Sequence, residues 1–219
     1  MTTGLPFLGA RALLLDVDGV LIDSAALHRR VWSAWAVLRG LDPEAVWAAS
    51  QGRRRPDVLA LVAPELAFPE EDALLTELSL AEEHTLSAFP GAVEVLRTLP
   101  IDRWAVVTSG GGAAVRRRMA RLGLPAPPVH VCANDVRAGK PDPEGYLRAA
   151  AALGAPPGDC LVVEDSPAGV AAGKAAGCTV HALTTTHAAE ELAAADGLFD
   201  SLGQALAGRF GPVQRRSPD

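Results

Sequence analysis

The sequence predicts an α/β fold in which a parallel sheet is flanked by helices and a helical domain is inserted after the first strand. Three observations lead to this prediction. Short apolar runs alternate with longer stretches of helical spacing, a pattern typical of parallel sheets covered by helices. The interval 24–88, about 65 residues long, contains no convincing strand. Polar or glycine-rich residues follow the apolar runs, as expected where buried strands end.

Five apolar runs of four to six residues are predicted to be buried strands, because each is too short for a helix and ends in a polar or glycine-rich turn. Between these runs, longer stretches have the apolar spacing of helices. The strands are predicted at 12–15, 104–107, 129–132, 160–163 and 178–183, and the helices at 112–122, 143–153 and 167–176.

The interval 24–88, which we call the helical insert, is predicted to be a small domain on two linkers. Its Asp42-Pro43 and Arg55-Pro56-Asp57 segments are typical helix starts, because proline fits the first turn and aspartate can cap it. Residues 70–88 are predicted to form a further helix. One helical face near the start of the insert carries Leu27, Val31, Trp35 and Leu38.

The remainder of the chain, 1–23 and 89–219, is predicted to form the sheet domain. Its polar, proline-containing end, 211–219, is expected to fray.

The composition is that of an ordinary globular protein, since 49% of the 219 residues are hydrophobic and 21% are charged. The net charge of −6 argues against a nucleic-acid partner, and Arg116-Arg117-Arg118 is expected to be a solvated helix face. The longest early apolar run contains two aspartates, so neither a signal peptide nor a membrane span is expected. Three cysteines without a CxxC motif predict reduced thiols and a cytoplasmic setting.

The first predicted strand is followed by Asp16-Val17-Asp18-Gly19, which places two carboxylates at a strand end. In open parallel sheets, ligands bind beyond the carboxyl ends of the strands. Carboxylates this close repel each other, so they require a shared proton or a cation. A calcium loop is disfavoured, because the glycine is misplaced for an EF-hand and the later ligands are missing. For this motif alone, a solvated acidic turn remains an alternative.

Two later loops have features of phosphate binding. Thr108-Ser109-Gly110 follows the next predicted sheet strand and precedes a helix, where backbone N–H groups and the helix dipole favour an anion. Lys140, one of two lysines in the chain, precedes Pro141 in a stiffened loop and would provide a fixed positive charge for a phosphoryl group. Taken separately, the first loop is more typical of a glycine-rich turn, and a surface lysine remains an alternative for the second.

A second acidic pair, Glu164-Asp165, follows another predicted strand. Carboxylates from two strand ends could form an oxygen site for Mg²⁺, which prefers such ligands together with water and a substrate phosphate. The nearby stretch from Gly169 to Lys174 is not a P-loop, because its spacing is one residue short and Ala175 replaces the required Ser or Thr. Each motif has an ordinary structural alternative, but their combination at successive strand ends predicts phosphoryl chemistry.

In these four motifs the sequence resembles the haloacid dehalogenase superfamily, with the residues Asp16-Val17-Asp18-Gly19, Thr108, Lys140 and Glu164-Asp165. The helical insert resembles the cap of the β-phosphoglucomutase-like subfamily. The strings TSG, GKPDPEGYL and VEDSPAGVAAGKAAG are similar to those of its glycerol-phosphate and sugar-phosphate phosphatases. The resemblance covers residues 10–205 and implies a Rossmann-like core of parallel strands.

The resemblance also implies a mechanism. Asp16 would attack phosphorus and form an aspartyl-phosphate, and Asp18 would protonate the leaving alkoxide and later deprotonate water. Thr108 and Lys140 would hold the phosphoryl oxygens. The Mg²⁺ ligands would be the Asp16 carboxylate, the Asp18 backbone carbonyl and Asp165, with Glu164 binding directly or from the second coordination sphere. The residues expected to bind the substrate beside them are Ser109 and Gly110.

The helical insert is expected to determine the substrate, because a cap closes over the site. Arg53, Arg54 and Arg55 lie where such caps place a substrate loop, although a solvated basic turn is an equal alternative for any one of them. His28 lies at a spacing common in the β-phosphoglucomutases, and a structural histidine is the alternative. Those mutases use a cap lysine on the substrate, and the insert contains no lysine.

These observations predict a Mg²⁺-dependent phosphatase that hydrolyses a small phosphate ester of a sugar or polyol, as a monomer or weak homodimer. A phosphosugar mutase is the main alternative, and a non-catalytic phosphate-ligand binder is a third. A dehalogenase is disfavoured, because Asp18 and the acidic pair would have no purpose there. Phosphonate hydrolysis is disfavoured, because it would need a cap lysine.

Overall fold

The computed structural model describes residues 10–66 and 68–207. Its strands are β1 (Ala12–Leu15), β2 (Ile22–Asp23), β3 (Ser87–Ala88), β4 (Trp104–Val107), β5 (Val129–Val131), β6 (Cys160–Glu164), β7 (Thr179–Leu183) and β8 (Gly197–Phe199). Its α-helices are α1 (Ala25–Leu38), α2 (Pro43–Ser50), α3 (Arg55–Val62), α4 (Phe68–Glu82), α5 (Ala92–Thr98), α6 (Gly112–Arg121), α7 (Glu144–Ala152), α8 (Pro167–Ala175) and α9 (Leu202–Ala207). Short 3₁₀ turns occupy Glu83–Thr85, Ala133–Asp135 and Pro157–Asp159.

Six strands form one parallel sheet in the order β5-β4-β1-β6-β7-β8, which confirms the predicted α/β class. Strand β1 lies in the middle, with Leu14 paired to Ala105 on β4 and to Val162 on β6. All residues of β1, β4 and β6 are buried, as expected for strands with helices on both faces. Because β4 and β6 flank β1, the residues that follow these three strands meet at one edge of the sheet.

The predicted strands agree with the structure to within one residue at each end, but the sixth strand was not predicted. Strand β8 has three half-buried residues at the edge of the sheet and begins with a glycine, so it lacks the apolar run that marks a buried strand. It forms because it pairs with β7, with Ala182 opposite Leu198.

The helices α1 to α4 lie between two linkers that pair as a short antiparallel ladder of β2 and β3, with Ile22 opposite Ala88 and Asp23 opposite Ser87. The prediction of a helix over 70–88 is therefore wrong at its end, because α4 ends at Glu82 and a 3₁₀ turn and β3 follow. Arginines of α6 donate hydrogen bonds to this turn.

Two expectations from composition are addressed by the structure. The three cysteines are buried free thiols. Over the two described ranges, no helix has the length and apolar character needed to cross a bilayer. The chain end expected to fray, 211–219, lies outside the described residues.

Candidate active site

A cavity of about 440 Å³ lies at the carboxyl edge of the sheet, between the strand ends and the helical insert. The sheet side contributes residues that follow five strands, β1, β4, β5, β6 and β7, and the insert contributes residues from α1 to α4 and from the loop before α3. From the predicted site, the cavity lining includes Asp16, Asp18, Thr108, Lys140 and Asp165 on the sheet side and His28, Arg53 and Arg55 on the insert side.

Asp16 and Lys140 form a buried ion pair at the base of this cavity. The Lys140 Nζ atom donates to Asp16 Oδ1 at 2.8 Å and lies 2.5 Å from Glu164 Oε1. Burial alone would lower the pKa of Lys140, but the two carboxylates outweigh it, so the net shift is upward and the ammonium stays charged. Burial raises the pKa of Asp16 to about 7, because the attraction of Lys140 only partly offsets desolvation and the repulsion from Glu164 and Asp18.

Glu164 is fully buried and both of its carboxylate oxygens are already occupied by protein groups. Its Oε1 atom accepts from the Tyr146 hydroxyl at 2.6 Å as well as facing Lys140. Its Oε2 atom accepts from the amide of Asp165 at 3.1 Å and from the hydroxyl of Ser166 at 3.1 Å. Glu164 therefore orients the lysine and the loop that carries Asp165.

Asp165 completes a group of three carboxylates whose nearest oxygens, from Asp16, Glu164 and Asp165, lie within 4.8 Å of one another. Burial raises the pKa of Asp165 well above its usual value, and repulsion from Glu164 and Asp16 adds to the shift. One lysine cannot neutralise three buried carboxylates, so a divalent cation fits the unbalanced charge and the hard oxygen donors. Asp16 and Asp165 have oxygens to offer, whereas Glu164 fits a supporting role.

Asp18 lies on the insert side of Asp16, and three groups face its Oδ1 atom. The Ser24 hydroxyl donates to Oδ1 at 2.6 Å, His28 Nε2 lies 3.7 Å away and Arg118 Nη1 lies 3.9 Å away. Burial would raise the pKa of Asp18, but His28, Arg118 and Ser24 outweigh it and the net shift is downward. The other oxygen, Oδ2, lies towards Gly110, where an added Cβ would be 3.9 Å from it.

The loop between β4 and α6 carries the predicted anion-binding turn. The Thr108 hydroxyl accepts a hydrogen bond from the Gly110 amide at 3.0 Å, and the first residue of α6 follows at Gly112. The Ser109 hydroxyl instead donates to the Gly52 carbonyl at 2.8 Å, which connects this loop to the helical insert. Thr108, Ser109 and Gly110 all line the cavity, and Ser109 also contacts the insert.

The three arginines of the insert have different surroundings. Arg53 and Arg55 line the cavity, and Arg55 donates to Asp72 and Thr76 of α4, each at 2.8 Å. The structure does not bring Arg54 into this cavity. Its buried guanidinium forms two hydrogen bonds with Asp57 and donates to backbone carbonyls within 133–137.

The expectation of a solvated arginine face on α6 is wrong for Arg118, which is 5% exposed. Arg118 donates to Glu83 at 2.9 Å and to Ser79 at 2.7 Å, and Arg117 makes two hydrogen bonds to the same Glu83 carboxylate at 2.9 and 2.6 Å. Arg121 also donates to the Glu83 backbone carbonyl. These contacts fix the 3₁₀ turn after α4 against the sheet region.

Several residues of the site were missed in the sequence. Thr186 donates to the Asp165 carboxylate, and the neighbouring Thr185 donates to the Gly19 carbonyl at 2.6 Å. Both threonines follow β7, so the rule that ligands lie beyond strand ends could have identified them. Tyr146 is the chain's one tyrosine, yet nothing in the sequence pairs it with Glu164.

Comparisons with known proteins agree with this arrangement. A family model described as haloacid dehalogenase-like hydrolase matches residues 10–177. The chain is 39% identical over 199 residues to hexitol phosphatase A of Escherichia coli (strain K12), covering 89% of this chain and 92% of that protein. It is 36% identical over 198 residues to glycerol-1-phosphate phosphohydrolase 2 of Saccharomyces cerevisiae, covering 85% and 79%. Among solved structures, a hydrolase from Pseudomonas syringae is similar with a TM-score of 0.77 and 27% identity, covering 87% of this chain and 94% of that one.

Proposed function

The chain belongs to the haloacid dehalogenase-like hydrolase family, and we propose that it is a Mg²⁺-dependent phosphatase whose substrate is a small phosphate ester of a polyol or sugar. The observation that carries the proposal is the buried pair of Asp16 and Lys140 beside Asp165, at the base of a cavity that also presents Thr108. This arrangement supports the proposal, because it would supply a nucleophile, a fixed cation and an anion-binding turn around the phosphoryl group.

In the first half of the reaction, an Asp16 carboxylate oxygen bonds to phosphorus while the bond from phosphorus to the ester oxygen breaks. The electrons of that bond leave with the alkoxide, which takes a proton from Asp18 and departs as the alcohol. Lys140 and the Thr108 turn hold the remaining phosphoryl oxygens as their charge redistributes.

In the second half, Asp18 takes a proton from a water molecule whose oxygen bonds to phosphorus. The bond between phosphorus and Asp16 then breaks, which restores the aspartate and releases inorganic phosphate. Asp18 therefore ends the cycle protonated, as it began. Because the pKa of Asp18 is low before substrate binds, the arriving phosphate dianion helps by placing a like charge beside it, which favours the protonated form.

Asp16 and Asp165 are the side chains that would hold Mg²⁺, together with the Asp18 backbone carbonyl, and Glu164 would orient Lys140 and the Asp165 loop. When bound, the cation offsets the repulsion between the carboxylates and the phosphate dianion and polarises the phosphoryl group.

The helical insert would act as a cap that excludes water and recognises the alcohol. Arg53, Arg55 and His28 face the cavity and are proposed to contact the substrate, whereas the contacts of Arg54 support a role in holding the insert against the sheet region. A cytoplasmic setting and a monomer or weak homodimer remain predictions from the sequence.

A mutase is less supported. The curated relatives at 36% and 39% identity are named as phosphatases, and the insert has no lysine to hold a second phosphate. His28 beside Asp18 is a feature that favours the mutases over the phosphatases.

The test is inorganic phosphate release by the purified protein with Mg²⁺, using hexitol phosphates, glycerol phosphates, hexose 1- and 6-phosphates, 2-deoxy sugar phosphates and phosphoglycolate. We expect release that EDTA abolishes and that Asp16→Asn eliminates. Turnover by Asp16→Asn would contradict the assignment. Formation of glucose 6-phosphate from β-glucose 1-phosphate with little free phosphate would instead identify the mutase.

A further inference from the structure

Arg118 connects the helical insert to the acid–base residue of the proposed reaction. Its side chain is buried on α6 of the sheet region and makes its closest contacts with Glu83 at 2.9 Å and Ser79 at 2.7 Å, both in the insert. On its other side, its Nη1 atom lies 3.5 Å from His28 Nε2 and 3.9 Å from Asp18 Oδ1. One guanidinium therefore contacts three parts of the insert and faces the Asp18 carboxylate.

The surroundings of Asp18 are asymmetric, and this asymmetry determines how the carboxylate points. Ser24, His28 and Arg118 all approach the Oδ1 atom, whereas Oδ2 lies on the side of Gly110 and the anion-binding turn. A carboxylate held by one oxygen presents its other oxygen to the substrate. Ser24 and His28 belong to the insert side of the chain, so Arg118 is the contact with Oδ1 that comes from the sheet region.

We propose that Arg118 is a positioning residue that holds Asp18 with Oδ2 facing the ester oxygen while the insert is closed. The inference rests on the proposed phosphatase reaction, in which Asp18 delivers a proton to the leaving group. Because Glu83 and Ser79 orient the guanidinium, Arg118 adds its charge to the Ser24 contact at Oδ1 when the insert contacts α6. The device thus joins closure over the substrate to the placement of the proton donor.

Arg117 provides a matched control. It makes two hydrogen bonds to the same Glu83 carboxylate, at 2.9 and 2.6 Å, and in the described part of the chain it has no hydrogen bond or ion pair with Asp18 or His28. Loss of Arg117 therefore weakens the contact between α6 and the insert without removing a group that faces Asp18.

The experiment measures kcat/KM for a series of substituted phenyl phosphates that have similar shape but differ in the acidity of the leaving phenol. This parameter reports the steps up to phosphoryl transfer to Asp16, where a poor leaving group needs a proton and p-nitrophenolate does not. We compare the unmodified protein with Asp18→Asn, Arg118→Ala and Arg117→Ala. Arg118→Gln, which keeps a donor for Glu83, replaces Arg118→Ala if the alanine variant does not fold.

We expect Arg118→Ala or Arg118→Gln to lower kcat/KM for phenyl phosphate about tenfold more than for p-nitrophenyl phosphate, since correct general acid catalysis is worth about a hundredfold or more. Arg117→Ala should show the same dependence of kcat/KM on the leaving group as the unmodified protein. Arg118→Lys retains a cation and should therefore lose less kcat/KM for phenyl phosphate than Arg118→Ala.

The outcomes distinguish failure of the proposed function from failure of the role inferred for Arg118. If Asp18→Asn shows no stronger dependence on the leaving group, the proposed role of Asp18 fails and the inference fails with it. If Asp18→Asn shows the stronger dependence on the leaving group but the Arg118 variants lose activity uniformly across the series, Arg118 acts in folding or substrate binding. The inference alone is then overturned. An equal change in the Arg117 and Arg118 variants would assign the effect to their shared partner Glu83, which also overturns it.

Discussion

Gly19 allows the closest approach between the first acidic motif and the loop of Asp165, and its replacement by alanine tests the proposed metal site. Gly19 has φ of +81°, and an added Cβ would lie 1.9 Å from Asp165 Oδ2, where contacts below 3.0 Å are essentially never found. Asp165 must therefore retreat by about 1.1 Å (3.0 − 1.9). A misplacement of about 1 Å in a reacting site costs about a hundredfold in rate.

Gly91 is the matched control, because it has nearly the same φ of +79° and no heavy atom of the described residues within 4 Å of an added Cβ. Alanine in this left-handed region costs about 1–2 kcal/mol at either position, which lowers Tm by about 2–8 °C for a chain of this size. The difference between the two variants isolates the contact with Asp165.

The assay is phosphate release against Mg²⁺ concentration, with Tm measured in parallel. We expect Gly91→Ala to lose stability and keep its rate at saturating Mg²⁺. Gly19→Ala should lose about a hundredfold in kcat. It should also need at least about tenfold more Mg²⁺ for half-activation, as supporting contacts of metal ligands typically do. Equal rates and equal Mg²⁺ dependence in the two variants would refute the proposed position of Asp165.

Four further substitutions test individual contacts of the structure. Tyr146→Phe removes a hydroxyl donor from the buried Glu164 carboxylate and should lower the free energy of unfolding by about 2 kcal/mol, measured by urea denaturation; no change would mean that this hydrogen bond is not formed. Arg54→Ala should lower Tm and leave KM little altered, because Arg54 holds the insert against the sheet region. Arg53→Ala should raise KM and leave Tm little altered, because Arg53 lines the cavity. The reverse pattern would contradict these two roles. Glu71→Ala removes the carboxylate that accepts from the buried Trp35 indole and from two nitrogens of Arg39. It should lower the free energy of unfolding by about 2–3 kcal/mol, and an unchanged Tm in thermal melting would contradict this.

The four site motifs could be predicted from the sequence because ligand-binding residues of a parallel sheet lie just beyond the carboxyl ends of its strands. The runs that became β1 and β4 are fully apolar and bounded by polar residues, so their ends are clear, and Asp16 and Thr108 follow directly. The same reasoning, applied to β7, would have found Thr186.

The contacts of Arg118 and Glu83 could not be predicted in this way. The two residues are 35 positions apart, and nothing in a local pattern tells which charges will meet when the insert packs on α6. The same holds for β3, because a ladder of two residues has no periodicity and forms only through its partner strand. Local patterns therefore identify what lies at the sheet edge, and tertiary contacts determine how the insert is held over it.

Besides the contacts of Ser24 and His28 with Asp18, three polar contacts between the insert and the sheet region involve a loop or helix next to a site residue. Ser109, adjacent to Thr108, donates to the Gly52 carbonyl at 2.8 Å. Arg54 donates to the Val136 carbonyl at 3.0 Å, in the segment that leads to Lys140. The third contact is the pairing of α6 with Glu83, beside Asp18.

Because these contacts share their loops with the site, we expect the position of the insert and the order of the loops that carry the site residues to depend on each other. A substrate that favours closure by its alcohol end also favours the placement of the groups around its phosphoryl end, and the binding energy of the alcohol contributes to the rate of phosphoryl transfer. An inorganic phosphate ion, which has no alcohol end, lacks that contribution. Under the proposed function, we therefore expect the polar contacts between insert and sheet region to contribute to selectivity, in addition to Arg53 and Arg55, which line the cavity.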